Sequence, residues 1–478
     1  MLKKIFFNLI ILLNIICNFS NLCLAESQND NSLIKLNTDS IETLNPIKLS
    51  IEANEPSYDL PILSGPISLK KAIDEALNNN LNLKISKATN LESAYLIRSA
   101  IAQFGPSASF NTWYSNSSIS QMLFYPSSLA VTPETMQPIA RGQSLALIMV
   151  GSQPIFTGGR LMGNYKAAKA KKIETLAQLN ADKIDITLKV IENYWLTAYN
   201  QAKLTVDLEY ARLREMSCIN LKNRYLDGKN PKADYLREEA ELAKAKRSIN
   251  NDYQAYNISL LTLKEIIGLN LGSPITISDS LEYTENNETL NSYLLKAKIF
   301  RPELSGAQAY IKETDANKMV RKSSYLPQLS LYGGSSNITG SSPDGNERGH
   351  WGGFLGVMGG ITVFDSGYRK NQLKISSIEI TKAQTNYKVI ELKIAKEVSK
   401  AWIELETAKN NVKLIHDEII SAKEDARLFH ERYLIGKSIA LEDFDAKVKL
   451  YQAKLSLYQA IYEYLVSLAR LKAASGKI

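Results

Sequence analysis

Two stretches of this chain, Leu161 to Leu226 and Tyr368 to Leu434, contain no proline and, apart from Gly163, no glycine. At ~1.5 Å rise per residue, each makes a helical rod on the order of 95 Å long, whereas ordinary globular helices average about 11 or 12 residues. Rods of that length persist in water only by packing sideways, as coiled coils do. In the second stretch Val412, Ile415, Ile419, Ala422, Ala426, Phe429 and Tyr433 recur at alternating steps of three and four. The first keeps a rougher seam in Leu204, Leu208, Ala211, Cys218, Leu221 and Tyr225. A hollow helical wall and a solid antiparallel coiled coil satisfy this periodicity equally.

The rods belong to a pattern written twice. Leu83 matches Leu304 and Pro106 matches Pro327, a constant shift of 221 positions. The shift then becomes 208, pairing Phe156-Thr157-Gly158-Gly159 with Phe364-Asp365-Ser366-Gly367, Tyr225 to Lys229 with Tyr433 to Lys437, and Gly268 with Gly476. The length difference falls in 111–144 and 332–353, and insertions collect in exposed loops. Each copy therefore reads as helix, strand, variable loop, strand, long helix, tight turn, helix. The first helices are predicted over about 68–103 and 293–323, ending before Pro106 and Pro327 because proline disfavours helix in the residue before it.

Between helix and rod the pattern changes to alternation. Ala108, Phe110 and Tyr114 share a face opposite Ser107, Ser109 and Asn111, with Trp113 out of step; Leu329 and Leu331 oppose Gln328 and Ser330. Ten-residue alternating segments are the length of outer-membrane strands. The returning strands, about 145–154 and 351–363, are apolar and glycine-rich; the glycines from Gly349 to Gly360 lack the strand, turn and helix order of a phosphate loop and suit close packing in a strand. Four strands cannot close on themselves, and an open edge in lipid leaves amides and carbonyls unpaired at several kcal/mol each. If they lie in a membrane, several protomers must complete the ring. Totals of eight, twelve or sixteen strands all satisfy that condition.

The N-terminus reads as a signal peptide over residues 1–25, with Lys3 and Lys4, an apolar run from Ile5 to Ile16, and Cys23-Leu24-Ala25 at the cleavage position. Residues 26–66, rich in Asn, Ser and Pro, read as an extended or disordered lead-in. The first repeat covers 67–268, a linker 269–290, and the second repeat 291–478. Removing the leader removes Cys17 and Cys23 and leaves Cys218 alone, so no intrachain disulfide supports the fold. The net charge of +8 comes from Lys and Arg interleaved with Asp and Glu along the helices, which argues against nucleic acid as a partner. No catalytic or cofactor-binding constellation is present. His416 and His430 are too far apart on one helix to form a local metal pair, and Cys218 has no companion ligand.

These features together resemble the TolC family of outer-membrane efflux and secretion channels. The resemblance spans 67–476 and is most specific at Tyr433-Leu434-Ile435-Gly436, Leu441-Glu442-Asp443-Phe444-Asp445 and Leu450-Tyr451-Gln452-Ala453. It implies an α+β membrane protein that assembles as a homotrimer. The expected assembly is a 12-strand outer-membrane β-barrel continued by a periplasmic α-helical barrel with coiled-coil tips. It also implies a non-enzymatic exit channel of a tripartite efflux or type I secretion system. The partners would be outer-membrane lipid, a periplasmic adaptor, and an inner-membrane pump of RND, ABC or MFS type. The linker would lie beside the tunnel's waist.

Glu442 and Asp445 are three apart at the start of a helix, so they share a face. In a trimer they would form stacked acidic rings that favour cations, and the resemblance assigns selectivity to these positions. Acids at a helix start also complement the helix dipole without any ring. Asp234 and Tyr433 align with participants in the family's tip latch, but Ser438 stands where the family carries an arginine, with Lys437 adjacent. Gly228 and Gly436 suit sharp helix ends, and the resemblance makes these turns, with Lys437, the adaptor-docking surface. The competing reading is a structural periplasmic coiled-coil protein without a pore.

Overall fold

The computed structural model describes residues 60–117, 121–122, 138–139, 142–340, 350–438 and 440–478. The expected leader and most of the expected lead-in, like most of the segment 118–141 and residues 341–349, lie outside the described residues. In chain order the elements are β1 (Gly65–Ile67), α1 (Leu69–Asn79), α2 (Leu81–Ala102), β2 (Ser107–Ser117), β3 (Gln121–Met122), β4 (Pro138–Ile139), β5 (Gly142–Phe156), α3 (Arg160–Leu226) and α4 (Lys232–Ile267). They continue with β6 (Ile275–Ile277), α5 (Leu290–Phe300), α6 (Pro302–Ser323), β7 (Gln328–Gly340), β8 (His350–Gly360), α7 (Tyr368–Leu434) and α8 (Ala440–Ala474).

The rods α3 and α7 are each 67 residues long. All seven predicted seam positions of α7 are buried or half-buried. The α3 seam needs correction. Ala211 and Cys218 are buried, but Leu208 is 43% exposed, and the seam position beside it is taken by the buried Asp207. Along its length α3 packs against α1, α2, α4, α6 and α8, so its buried residues depart from a single stripe.

The leading helices are also corrected. Each is broken once, between α1 and α2 and between α5 and α6. Asn80 leaves helical geometry at φ −55° and ψ 125°. Its side chain accepts the Leu83 amide hydrogen at 3.0 Å and donates to the Ile266 carbonyl at 2.7 Å, so it caps α2 and ties it to the end of α4. In the second copy Arg301 takes the same place, with Pro302 at the first helical position, where a missing amide hydrogen costs nothing. Gly268 and Gly476, at φ 80° and 78°, end α4 and α8 against these breaks. A β-carbon at Gly268 would come 2.7 Å from the Asn79 carbonyl oxygen, and one at Gly476 2.7 Å from the Phe300 carbonyl carbon.

Each copy gathers its own core around its break. Ile67, Leu83, Val190, Tyr194, Leu263 and Ile267 form one cluster; Tyr293, Val398, Leu405, Tyr464 and Leu471 belong to the other. The end of the expected lead-in is ordered, because β1 pairs in parallel with β6 from the linker. The Tyr194 hydroxyl donates to the Ile67 carbonyl at 2.9 Å, and burial pushes the phenol up to about 12.

The main sheet is four-stranded and antiparallel, in the order β2-β5-β7-β8. The two hairpins therefore join through β5 and β7, and β2 and β8 are its edges. The strands run farther into 111–144 and 332–353 than expected, to Ser117, from Gly142, to Gly340 and from His350. Residues 361–363, predicted as strand, follow the end of β8 without strand pairing. The register sets Phe110 beside Met149 and Leu331 beside Val357, on one face. Phe110 (65%), Met149 (55%), Leu355 (80%) and Val357 (62%) are exposed there. The opposite face carries Ser107, Ser109, Ser152 and Ser330 around a buried Ala146 and Ile148. Among the described residues no helix is long and apolar enough to cross a membrane.

Candidate functional site at the helical tips

Both rods end in the same turn. The amide of Lys229 donates to the Arg224 carbonyl and that of Lys437 to the Arg432 carbonyl, each at 2.8 Å. The amides of Gly228 and Gly436 reach back to Tyr225 and Tyr433 at 2.9 and 3.0 Å. This six-to-one pattern satisfies the last carbonyls and requires left-handed geometry at the turn, which the glycines supply at φ 72° and 71°. Both glycines face open space and Lys437 is exposed, so the turns present backbone and charge outward.

Beyond the second turn, Glu442 and Asp445 sit on the first turns of α8, both exposed. Glu442 accepts the Ser438 hydroxyl hydrogen at 2.5 Å, so Ser438, where an arginine was expected, orients the acid. The acid between them behaves differently. Asp443 is buried and receives the Lys447 ammonium at 2.8 Å, with His430 Nδ1 at 3.2 Å, which fastens α8 to α7. Asp234 lies exposed on the first turn of α4 and accepts from Asn230 at 3.3 Å. Tyr433 is half-buried on the last turn of α7. Among the described residues no hydrogen bond joins Asp234 to Tyr433, so a single chain does not bring the two expected latch residues together.

A second polar cluster, above the tips, has no counterpart among the residues singled out by sequence. Asp207 on α3 and Asp252 on α4 are 3% and 4% exposed. Tyr451 of α8 and Ser248 of α4 both donate to Asp207, the latter at 3.2 Å, and Lys203 pairs with Asp252. The ring of Tyr451 stacks on Tyr210 at 4.2 Å, and the Arg214 guanidinium lies 4.5 Å from the Phe444 ring centroid. A charge at a seam position is the signal that reveals such a cluster, since Asp207 follows Leu204 by three and precedes Ala211 by four. Tyr451 lies inside a motif of the resemblance, yet that motif gives it no role of its own.

Twin helical rods ending in matching glycine turns, beside a sheet with one exposed apolar face, fit the class of outer-membrane efflux proteins. A model of the family described as "Outer membrane efflux protein" matches residues 72–269 and 294–477, and the chain belongs to that family. It is 24% identical over 241 residues to the outer membrane protein TolC of Vibrio cholerae serotype O1, covering 49% of this chain and 53% of that protein. It is 20% identical over 332 residues to the outer membrane efflux protein BepC of Brucella suis biovar 1, covering 68% of this chain and 71% of that one. The chain thus spans about half of the first relative's length and somewhat more of the second's. In fold it resembles the Campylobacter jejuni CmeC outer membrane channel, with a TM-score of 0.71 at 16% identity and 85% of each chain covered. It also resembles the open state of the Neisseria gonorrhoeae MtrE outer membrane channel, at 0.67 and 19%, over 86% of this chain and 89% of that one.

Proposed function

We propose that this protein is the outer-membrane exit channel of a tripartite efflux or type I secretion system, working as a homotrimer. The observation that carries this reading is the sheet. Among the described residues its outer edges on β2 and β8 have no partner strand, and its one exposed apolar face stays uncovered. In lipid such edges must be closed, and pairing β2 of one copy with β8 of the next closes them. Three copies supply twelve strands, with the serine-rich face turned to the lumen. The rods then continue the barrel as a helical tunnel on the periplasmic side.

Conduction is passive. Glu442 and Asp445 from three chains ring the tunnel at the tips and favour cations. The exposed turns at Gly228, Gly436 and Lys437 dock a periplasmic adaptor, which links the tunnel to an inner-membrane pump. Asp234 and Tyr433 meet across neighbouring protomers, with Ser438 holding Glu442 where an arginine would reach across. The test is reconstitution of the purified protein in planar bilayers, with its oligomeric state read in detergent. Discrete conductance steps from a trimer are expected; a water-soluble monomer without detergent affinity removes the reading.

A further inference from the structure

Asp207 and Asp252 bring two carboxyl groups into one nearly dry seam with a single ammonium, from Lys203. Asp207 accepts one hydrogen bond at each oxygen, from Tyr451 at Oδ1 and from Ser248 at Oδ2. Asp252 accepts from Lys203 through Oδ1, while its Oδ2 is buried without a hydrogen-bond partner. Two ionised carboxylates and one ammonium leave a net negative charge out of water, which is costly. A proton on Asp252 Oδ2, donated to Asp207, removes both the orphaned oxygen and the surplus charge. The other ionisable groups facing the pair are Tyr199 and Tyr210 on α3 and Tyr451 on α8, with Glu463 of α8 near Tyr199. The cover over the pair is α8 itself. Tyr451 bonds Asp207 and stacks on Tyr210, and Lys454 reaches Glu209 one turn on, at 3.5 Å.

We propose that Asp207, Asp252 and Tyr451 form a proton-operated latch that holds the tip-proximal part of α8 against the α3–α4 pair. Tyr451 is six residues beyond Asp445, about 9 Å along the helix. Whatever undocks Tyr451 therefore displaces the tip acids too. Burial, and then the contact with Asp207, push the Asp252 carboxyl up from 3.8 to about 6 while α8 is docked. When α8 lifts, water reaches the pair, the carboxyl returns toward 3.8, and the proton leaves. The raised value belongs to the docked state, so docking is fully favoured below about 4 and loses that support as pH rises through about 6. Within that window each unit of acidification raises the docked-to-undocked ratio by at most about tenfold.

The influence of this latch on conduction rests on the channel reading; the movement of α8 does not. The experiment places spin labels at Asn250→Cys and Lys449→Cys in full-length protein carrying Cys218→Ala, and reads their distance between pH 4 and 8. A single short distance is expected near pH 4, joined by a longer population near neutrality. Asp252→Asn keeps the short distance at every pH, and Tyr451→Phe enlarges the longer population. Asp207→Asn serves in the same role if Asp252→Asn does not fold. A wild-type distribution that ignores pH, or an asparagine variant that follows the wild-type profile, overturns the latch. Bilayer conductance of the same samples separates the two ideas. A moving distance without conductance sinks the channel reading alone, and conductance with an immobile distance sinks the latch alone.

Discussion

The guanidinium of Arg214 on α3 meets both carboxylate oxygens of Glu238 on α4, at 3.1 and 3.2 Å. It also donates to the Tyr210 hydroxyl at 2.8 Å and covers the ring of Phe444 on α8. One side chain thus ties together three helices that enclose the tip region. With side chains only 14% and 11% exposed, the pair is mostly removed from water.

Arg214→Ala therefore leaves Glu238 as an uncompensated acid in a packed seam. A loss on the order of 3 kcal/mol is expected, read as a lower thermal midpoint of the purified protein in detergent. Arg214→Met with Glu238→Met should recover most of it, because the apolar pair fills the space without a stranded charge. A double variant no better than the single would show that the charges themselves are needed.

The helix-end glycines are expected to differ by location. Gly268→Ala and Gly476→Ala each force a side chain into left-handed backbone and against the neighbouring helix break, and should cost more than about 2 kcal/mol. Gly228→Ala and Gly436→Ala carry the same backbone penalty but meet open space, so about 1–2 kcal/mol suffices. Chemical denaturation of the four variants ranks them, and equal losses would remove the role given to the contact with the helix breaks.

The outward face of the sheet separates a membrane barrel from a soluble hairpin. Leu355 is 80% and Phe110 65% exposed. An arginine at either should cost about 2–4 kcal/mol near the bilayer midplane, seen as a drop in folded protein recovered from outer-membrane fractions. On a soluble scaffold the same substitutions would fall within about 0.5 kcal/mol.

Glu442→Ala with Asp445→Ala should reduce the cation preference of the channel and its block by divalent cations in planar bilayers, with little change in stability, since both acids are exposed. Unchanged selectivity would leave these acids with nothing beyond the helix dipole.

The rods are legible in the amino-acid sequence because their information is local. An unbroken run without proline, with apolar positions every three or four residues, specifies a helix and its packing stripe. The alternation at Phe110 and Leu331 likewise specifies strands with two unlike faces. Gly228 and Gly436 mark the rod ends in the same way. The break at Arg301 is marked by Pro302, which disfavours helix in the residue before it, whereas the one at Asn80 is less visible: asparagine is tolerated in helices, and what holds the chain there is the end of α4, 186 positions away. Pairing of β1 with β6 has the same character. Asp207, Asp252 and Asp443 carry the larger lesson about the site. Asp207 is marked by its seam spacing from Leu204 and Ala211, but in sequence Asp252 and Asp443 look like acids on a wetted helical face, such as Glu442 and Asp445. Burial is a property of what packs against a residue. The fate of each carboxylate is therefore settled only when helices distant in the chain come together around it.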